Sequence, residues 1–228
     1  MDFIRIIRSL EELLYEAMTW IIFYPLTIMR ILFNPTRMTL YSDVELGDAP
    51  EQQYTDSLSP PLLLMLTIVL THGIELAFGI KATSSLKAGS VLATFMADEQ
   101  NLLIVRALVT AIVPLSVAFI ALRTQQRPLD RNSLRRPFFS QCFLVSPFAF
   151  AFSFATILAR MPISVAQTAA PYLLFGGVVW FCWAETRWFA RQHQITLGRA
   201  LLSGIGSVAV ALTTAFAVSA MLSIGIEN

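Results

Sequence analysis

The sequence predicts an all-α fold: a polytopic transmembrane bundle of about five spans with an amphipathic helix at its N-terminus. Three observations predict it. Of the 228 residues, 56% are hydrophobic and only 14% charged, against roughly a quarter charged in a soluble domain. The apolar residues gather in blocks of about 20, the length that carries a helix across a hydrocarbon core of ~30 Å. The arginines fall almost wholly between alternate blocks, as the positive-inside rule requires.

Residues 1–58 read as a cytoplasmic and interfacial segment. Phe3, Ile6, Ile7, Leu10, Leu13, Leu14 and Ala17 recur at helical spacing, with Arg5, Arg8, Glu11, Glu12 and Glu16 off that face, the pattern of a helix lying flat on a membrane. Trp20 to Phe33 is apolar but short, holds Pro25 and Arg30, and is expected to be interfacial or re-entrant rather than a sixth span. The acid-rich stretch from Asn34 to Ser59 reads as a polar cytoplasmic connection.

Residues 59–228 hold the five spans: Pro60 to Ile80, Leu102 to Leu122, Pro137 to Ala159, Ala170 to Phe189 and Ala200 to Ile226. Lipid offers a bare backbone no hydrogen bonds, so these blocks are helices. Residues Ser84 to Gln100 are expected to form an external loop with a short helical piece. Arg5, Arg8, Arg30, Arg37, the loop arginines from Arg123 to Arg136, and Arg187, Arg191 and Arg199 share one side; Lys81, Lys87 and Arg160 share the other. This places the N-terminus in the cytoplasm and the C-terminus on the far side, in a bacterial inner membrane the periplasm.

The polar residues inside the spans are few. Thr71, His72 and Glu75 lie in the first span, with His72 and Glu75 three residues apart on one helix face. Arg106 in the second span falls at a matching depth. An unpaired charge there costs about 2.5–3.5 kcal/mol on insertion scales, so pairing of Glu75 with Arg106 is expected. Two roles fit: a proton or ion relay, since imidazole titrates near neutrality, or a neutralised pair that ties two helices together. The second is the better supported, because a relay needs a continuing polar path.

The last span carries Ser203, Ser207, Ala211, Ala215, Ser219 and Ser223 at an unbroken spacing of four. Such a flat face lets a neighbouring helix approach closely, whether from this chain or from a second copy. The third span is rich in phenylalanine, from Phe138 to Phe154, read mainly as lipid-facing side chains. Trp180, Trp183 and Trp188 cluster toward the cytoplasmic end of the fourth span, where Trp183, Trp188 and Arg187 fit an interfacial belt, with Glu185 a solvated or paired charge at that helix end. Pro114, Pro147 and Pro171 remove backbone hydrogen bonds and can kink their helices.

No phosphate-binding loop, dinucleotide fingerprint, zinc-protease or serine-hydrolase motif is present, so the sequence gives no reason to expect an enzyme. Cys142 and Cys182 lie in apolar blocks away from any metal or disulfide pattern, and no cofactor is indicated. The net charge of +1 points to no nucleic-acid partner. The partners expected are the lipid bilayer and a membrane protein or second copy of the chain.

The run ELLYEAMTWIIFYPLTIMRILFNPTRM, followed by YSDVEL and DSLSPPLLLMLTIVLTHGIELA, resembles small bacterial inner-membrane proteins described as permeases, and the layout resembles the Yip1-like membrane family. The DLYGP signature of eukaryotic Yip1 proteins is absent. The resemblance implies a multi-pass helical fold and no settled activity; transport of a small solute or ion is expected from the polar group Thr71, His72, Glu75 and Arg106 within the otherwise apolar spans. The alternative is a non-catalytic scaffold that binds other membrane proteins through the small-residue face.

Overall fold

The computed structural model describes residues 2–80, 98–125, 128–193 and 196–224. Seven α-helices account for most of them: α1 (Asp2–Phe33), α2 (Pro35–Glu45), α3 (Pro60–Ala77), α4 (Glu99–Thr124), α5 (Arg131–Arg160), α6 (Ser164–His193) and α7 (Leu197–Ile224). There is no strand among the described residues. Five helices contain segments long and apolar enough to cross a membrane by length and composition: Ile7–Phe33, Pro60–Ala77, Gln100–Thr124, Arg131–Arg160 and Ser164–Gln192. In α7 a shorter apolar stretch, Gly198–Ala211, precedes residues whose side chains are not described.

Local chemistry sets the boundaries. Pro35 and Pro60 stand in the first turns of α2 and α3, where a missing N–H costs nothing. Asp98 caps α4 by accepting from the Gln100 N–H. Asp130 opens α5 with a reciprocal capping box to Ser133. At the far end of α3, Gly79 takes φ +64, while its N–H bonds Leu76 O and the Ile80 N–H bonds Glu75 O, both at 3.0 Å. This Schellman closure, for which glycine is the natural residue, stops the helix and holds Glu75 in its last turn. Pro25, Pro114, Pro147 and Pro171 all lie inside continuous helices.

The N-terminal expectation changes here. The amphipathic piece and the apolar piece after it are one continuous helix of 32 residues. The second half of α1 is docked: Ile31 is fully buried, Tyr24 Oη meets Thr67 Oγ1 at 3.1 Å, and the Trp180 indole donates to Leu32 O at 3.1 Å. Its first half shows Leu10, Leu13, Leu14 and Met18 more than half exposed. The stretch expected to be a polar connection is also folded. Helix α2, the 3-10 turn Pro50–Gln52 and Tyr54 pack Met38, Ser42 and Leu58 beneath them.

Helix α5 is the axis of the bundle. Every residue from Ser140 to Phe148 is buried, and α2, α3, α4 and α6 all pack against it. Its phenylalanines therefore correct the lipid-facing reading: Phe143 is fully buried, and Phe148 stacks on Phe181 of α6 at 4.8 Å between ring centroids. The tryptophan belt is reduced to Trp183, which is 39% exposed beneath the Arg187 guanidinium; Trp188 is in the core.

Small residues set the packing of α7 on α6. Ala200, Gly204, Ser207, Val208 and Ala211 are buried. A Cβ on Gly204 would lie 2.6 Å from Thr186 Oγ1 and 3.0 Å from Cys182 O. Ser207 and Ala211 of the expected face thus sit inside this chain, while Ser203 is half-buried and donates to Arg199 O at 3.1 Å. Ala215, Ser219 and Ser223 lie outside the described side chains, and Lys81, Lys87 and the expected external loop up to residue 97 lie outside the described residues, while Glu99 and Gln100 of that loop already belong to α4.

Candidate functional site

Helix α3 turns Thr67, Thr71, His72 and Glu75 toward its neighbours, and all four are buried. Thr67, Thr71 and Glu75 follow at intervals of four and His72 stands three before Glu75, so they line one side of the helix. The threonines spend their hydroxyls locally: Thr67 donates to Leu63 O at 2.8 Å, and Thr71 to Thr67 O at 2.9 Å and Ile68 O at 3.1 Å. Thr71 therefore adjoins the charged cluster without bonding to it.

Glu75 is the centre of that cluster, with only 7% of its side chain exposed. Arg106 Nη1 of α4 donates to Glu75 Oε2 and lies 3.3 Å from His72 Nδ1. A guanidinium has no acceptor, so in a hydrogen bond with Arg106 the imidazole Nδ1 is the acceptor. His72 Nδ1 is 3.7 Å from Glu75 Oε2. The expected Glu75–Arg106 pairing is present. The sequence reading missed a second cation: Arg160, in the last turn of α5, sits 3.6 Å from Glu75 Oε1. Its place at the end of the third span, on the side shared with Glu75, was the available signal.

Two guanidinium cations on one carboxylate leave an excess of positive charge. The side chains of Arg106 and Arg160 are 29% and 37% exposed. The group is thus closed around the carboxylate and open through its two cations, at the end of the bundle opposite the arginine-rich turn from α4 to α5.

A second polar group lies deeper. Glu185 of α6 and Gln141 of α5 are both fully buried, and Gln141 Nε2 donates to Glu185 Oε2 at 3.2 Å. The Ser207 hydroxyl of α7 donates to Ser203 O at 3.1 Å and also lies against the Glu185 carboxyl. Glu185 is not a solvated charge at the helix end as expected. Its place between Trp183 and Arg187 suggested the surface, but the helical turn points it into the α5–α6–α7 junction.

A third group caps the arginine-rich end. Arg30 donates to Asp56 O at 2.9 Å, and Tyr41 Oη donates to Asp56 Oδ1 at 2.5 Å. With Asn34, Arg37 and Met38 these residues line a cavity of about 370 Å³. Tyr54 holds φ +57, in the left-handed region, where its N–H donates to Glu45 and its hydroxyl meets Ser42 at 3.1 Å. Burial pushes the Tyr54 phenol up to about 12. Burial, and then the hydrogen bond to Asp56, raises Tyr41.

No set of three or more metal-ligating side chains comes together among the described residues. The architecture is that of a polytopic α-helical protein compatible with an integral membrane protein. No protein-family model, curated protein or solved structure matches the chain.

Proposed function

We propose that the chain is a permease-like membrane protein that passes a small anionic solute through the bundle, binding it at Arg106 and Arg160. The observation that carries this reading is the two-to-one ratio of guanidinium to carboxylate around Glu75, with the cations part-exposed and the carboxylate covered. An incoming carboxylate or inorganic anion can take a share of the same donors, since guanidinium groups favour planar oxyanions. Glu75 then acts as the resident counter-ion that keeps the empty site neutral enough to lie at membrane depth. No covalent step is needed.

The setting we propose is a bacterial inner membrane, with the arginine-rich turn and the Arg30–Asp56 cap in the cytosol and the Glu75 cluster toward the periplasm. The scaffold alternative draws on the small-residue face of α7, and Ser207 and Ala211 of that face are already buried within this chain, which favours transport.

Uptake into proteoliposomes tests the proposal, using a panel of labelled small carboxylates, phosphate and chloride. Arg160→Gln is expected to lower the uptake of one panel member at least tenfold with the reconstituted amount unchanged. Uptake of none of them, or uptake indifferent to Arg160→Gln and Arg106→Gln alike, sinks the reading.

A further inference from the structure

The interior group at the α5–α6–α7 junction has two polar atoms left over. Gln141 Oε1 and Glu185 Oε1 are both buried and neither has a hydrogen-bond partner. Glu185 makes no ion pair among the described residues. By helix rise, Glu185 lies roughly 10 Å and Gln141 roughly 7 Å to the arginine-rich side of the midpoints of their helices, and both side chains are shut off from solvent by the protein itself. An ionised carboxylate there, without a cation, carries a desolvation cost that a single amide hydrogen bond does not offset.

The surroundings supply no compensating charge. From α5 the titratable neighbour is Cys142, and from α6 it is Cys182, both free thiols. Arg187 of α6 lies over the Trp183 ring, and Arg199 of α7 is exposed. Leu64 and Ile68 of α3 and Val113 and Val117 of α4 are the apolar side chains these helices bring to the same core, and the charged Glu75 of α3 and Arg106 of α4 pair with each other at the opposite end of the bundle.

We infer that Glu185, with Gln141 and Ser207, forms a proton-binding site inside the bundle, occupied by one proton in the resting protein. The bound proton answers both leftover atoms at once. A neutral Glu185 carboxyl donates to Gln141 Oε1 while its other oxygen accepts from Gln141 Nε2, closing a ring of two hydrogen bonds between acid and amide. Release of the proton leaves a bare carboxylate in a dry site, so water must first reach it, and the close contact of α7 at Gly204 with Thr186 stands in the way. The site is therefore one that loads and unloads only when α7 parts from α6. The inference is independent of any solute bound at Glu75, since the two groups share no residue.

Infrared spectroscopy of the full chain in lipid nanodiscs tests it. The expected result is an un-ionised carboxyl C=O band at neutral pH that shifts in deuterated buffer, disappears in Glu185→Gln and moves in frequency in Gln141→Leu. Glu185→Gln should fold and melt like the natural protein, because it replaces a neutral acid by a neutral amide of the same shape. Absence of the band, in sodium buffer or with a bulky organic cation in its place, overturns the proposal in favour of an ionised Glu185. A band that survives Glu185→Gln overturns it too, as does a Glu185→Gln chain that cannot fold.

Discussion

Arg160 holds its guanidinium 3.6 Å from Glu75 Oε1, joining the last turn of α5 to the last turn of α3. With Arg106 on the other carboxylate oxygen, three helices meet at one acidic side chain. Both contacts close between different helices, so the cluster is a lock on helix arrangement as well as the proposed place for an anion.

Replacing Glu75 by Gln is expected to destabilise the bundle more than replacing Arg160 by Gln. The first change leaves two cations facing one another at part-exposed positions; the second leaves Glu75 still paired with Arg106. A double-mutant cycle on thermal unfolding in detergent should give a Glu75–Arg106 coupling of about 1 kcal/mol, within the ~0.5–3 kcal/mol seen for contacting residues, and a smaller one for the more exposed Arg160. Equal couplings would mean that Arg160 is as firmly held as Arg106.

Much of this arrangement is legible in the sequence, and the failures have identifiable causes. Apolar blocks of bilayer length mark helices irrespective of what they pack against, which is why α3, α4, α5 and α6 are legible, with the expected span three residues too long at the end of α3 and a few residues short on α4, α5 and α6. Glu75 and Arg106 were paired from depth alone. Which face of an all-apolar helix turns inward is not written in its composition: α5 is apolar nearly all round, so its burial at the bundle axis, and with it the place of Phe143 and Gln141, had no periodic signal. Arg160 and Glu185 failed for the same reason. A charge near a helix end normally reaches the headgroups, and only tertiary packing turns one of these onto Glu75 and the other into the core.

Gly204 offers a test of how tightly α7 sits. Gly204→Val places methyl groups where even a Cβ would meet Thr186 Oγ1 at 2.6 Å and backbone atoms at 3.0–3.1 Å. Overpacking of this kind costs about 1–3 kcal/mol, and the loss should appear as a lower melting temperature in detergent. Gly206→Val, at a glycine with nothing within 4 Å, is the control and should leave melting unchanged. The reverse order would mean that α7 leaves α6 in the membrane.

Asp43 should make the cap at the arginine-rich end more stable in mild acid than at neutrality. Burial raises its carboxyl above the ordinary value, against a smaller opposing pull from Arg136. With the folded-state value above the unfolded one, the folded chain holds the proton more tightly. Stability is therefore lost as pH rises from the unfolded value through the folded one. Asp43→Asn removes that loss. Its melting temperature should exceed that of the natural chain at neutral pH and converge with it below the carboxylate range. Parallel curves at every pH would assign the difference to packing instead.

The course of α1 decides on which side the chain begins. Thr27 Oγ1 accepts from the Leu58 N–H at 3.3 Å just before α3 starts, and Tyr24 meets Thr67 inside α3, so α1 runs antiparallel to α3. The earlier a residue in α1, the further it lies from the arginine-rich end. Ile7–Phe33 has 27 residues, about 40 Å at ~1.5 Å each, enough to span a core of ~30 Å. Glu11, Glu12 and Glu16 then fall toward the far headgroups, where carboxylates are solvated. A reporter active only outside the cytosol, fused at Met1, is therefore expected to be active, whereas the same reporter inserted between Gln125 and Leu129 should be silent. A silent N-terminal fusion beside a correctly silent loop fusion would return the first half of α1 to the cytoplasmic surface, with its apolar side chains in the headgroup layer and only the stretch from Trp20 onward docked on the bundle.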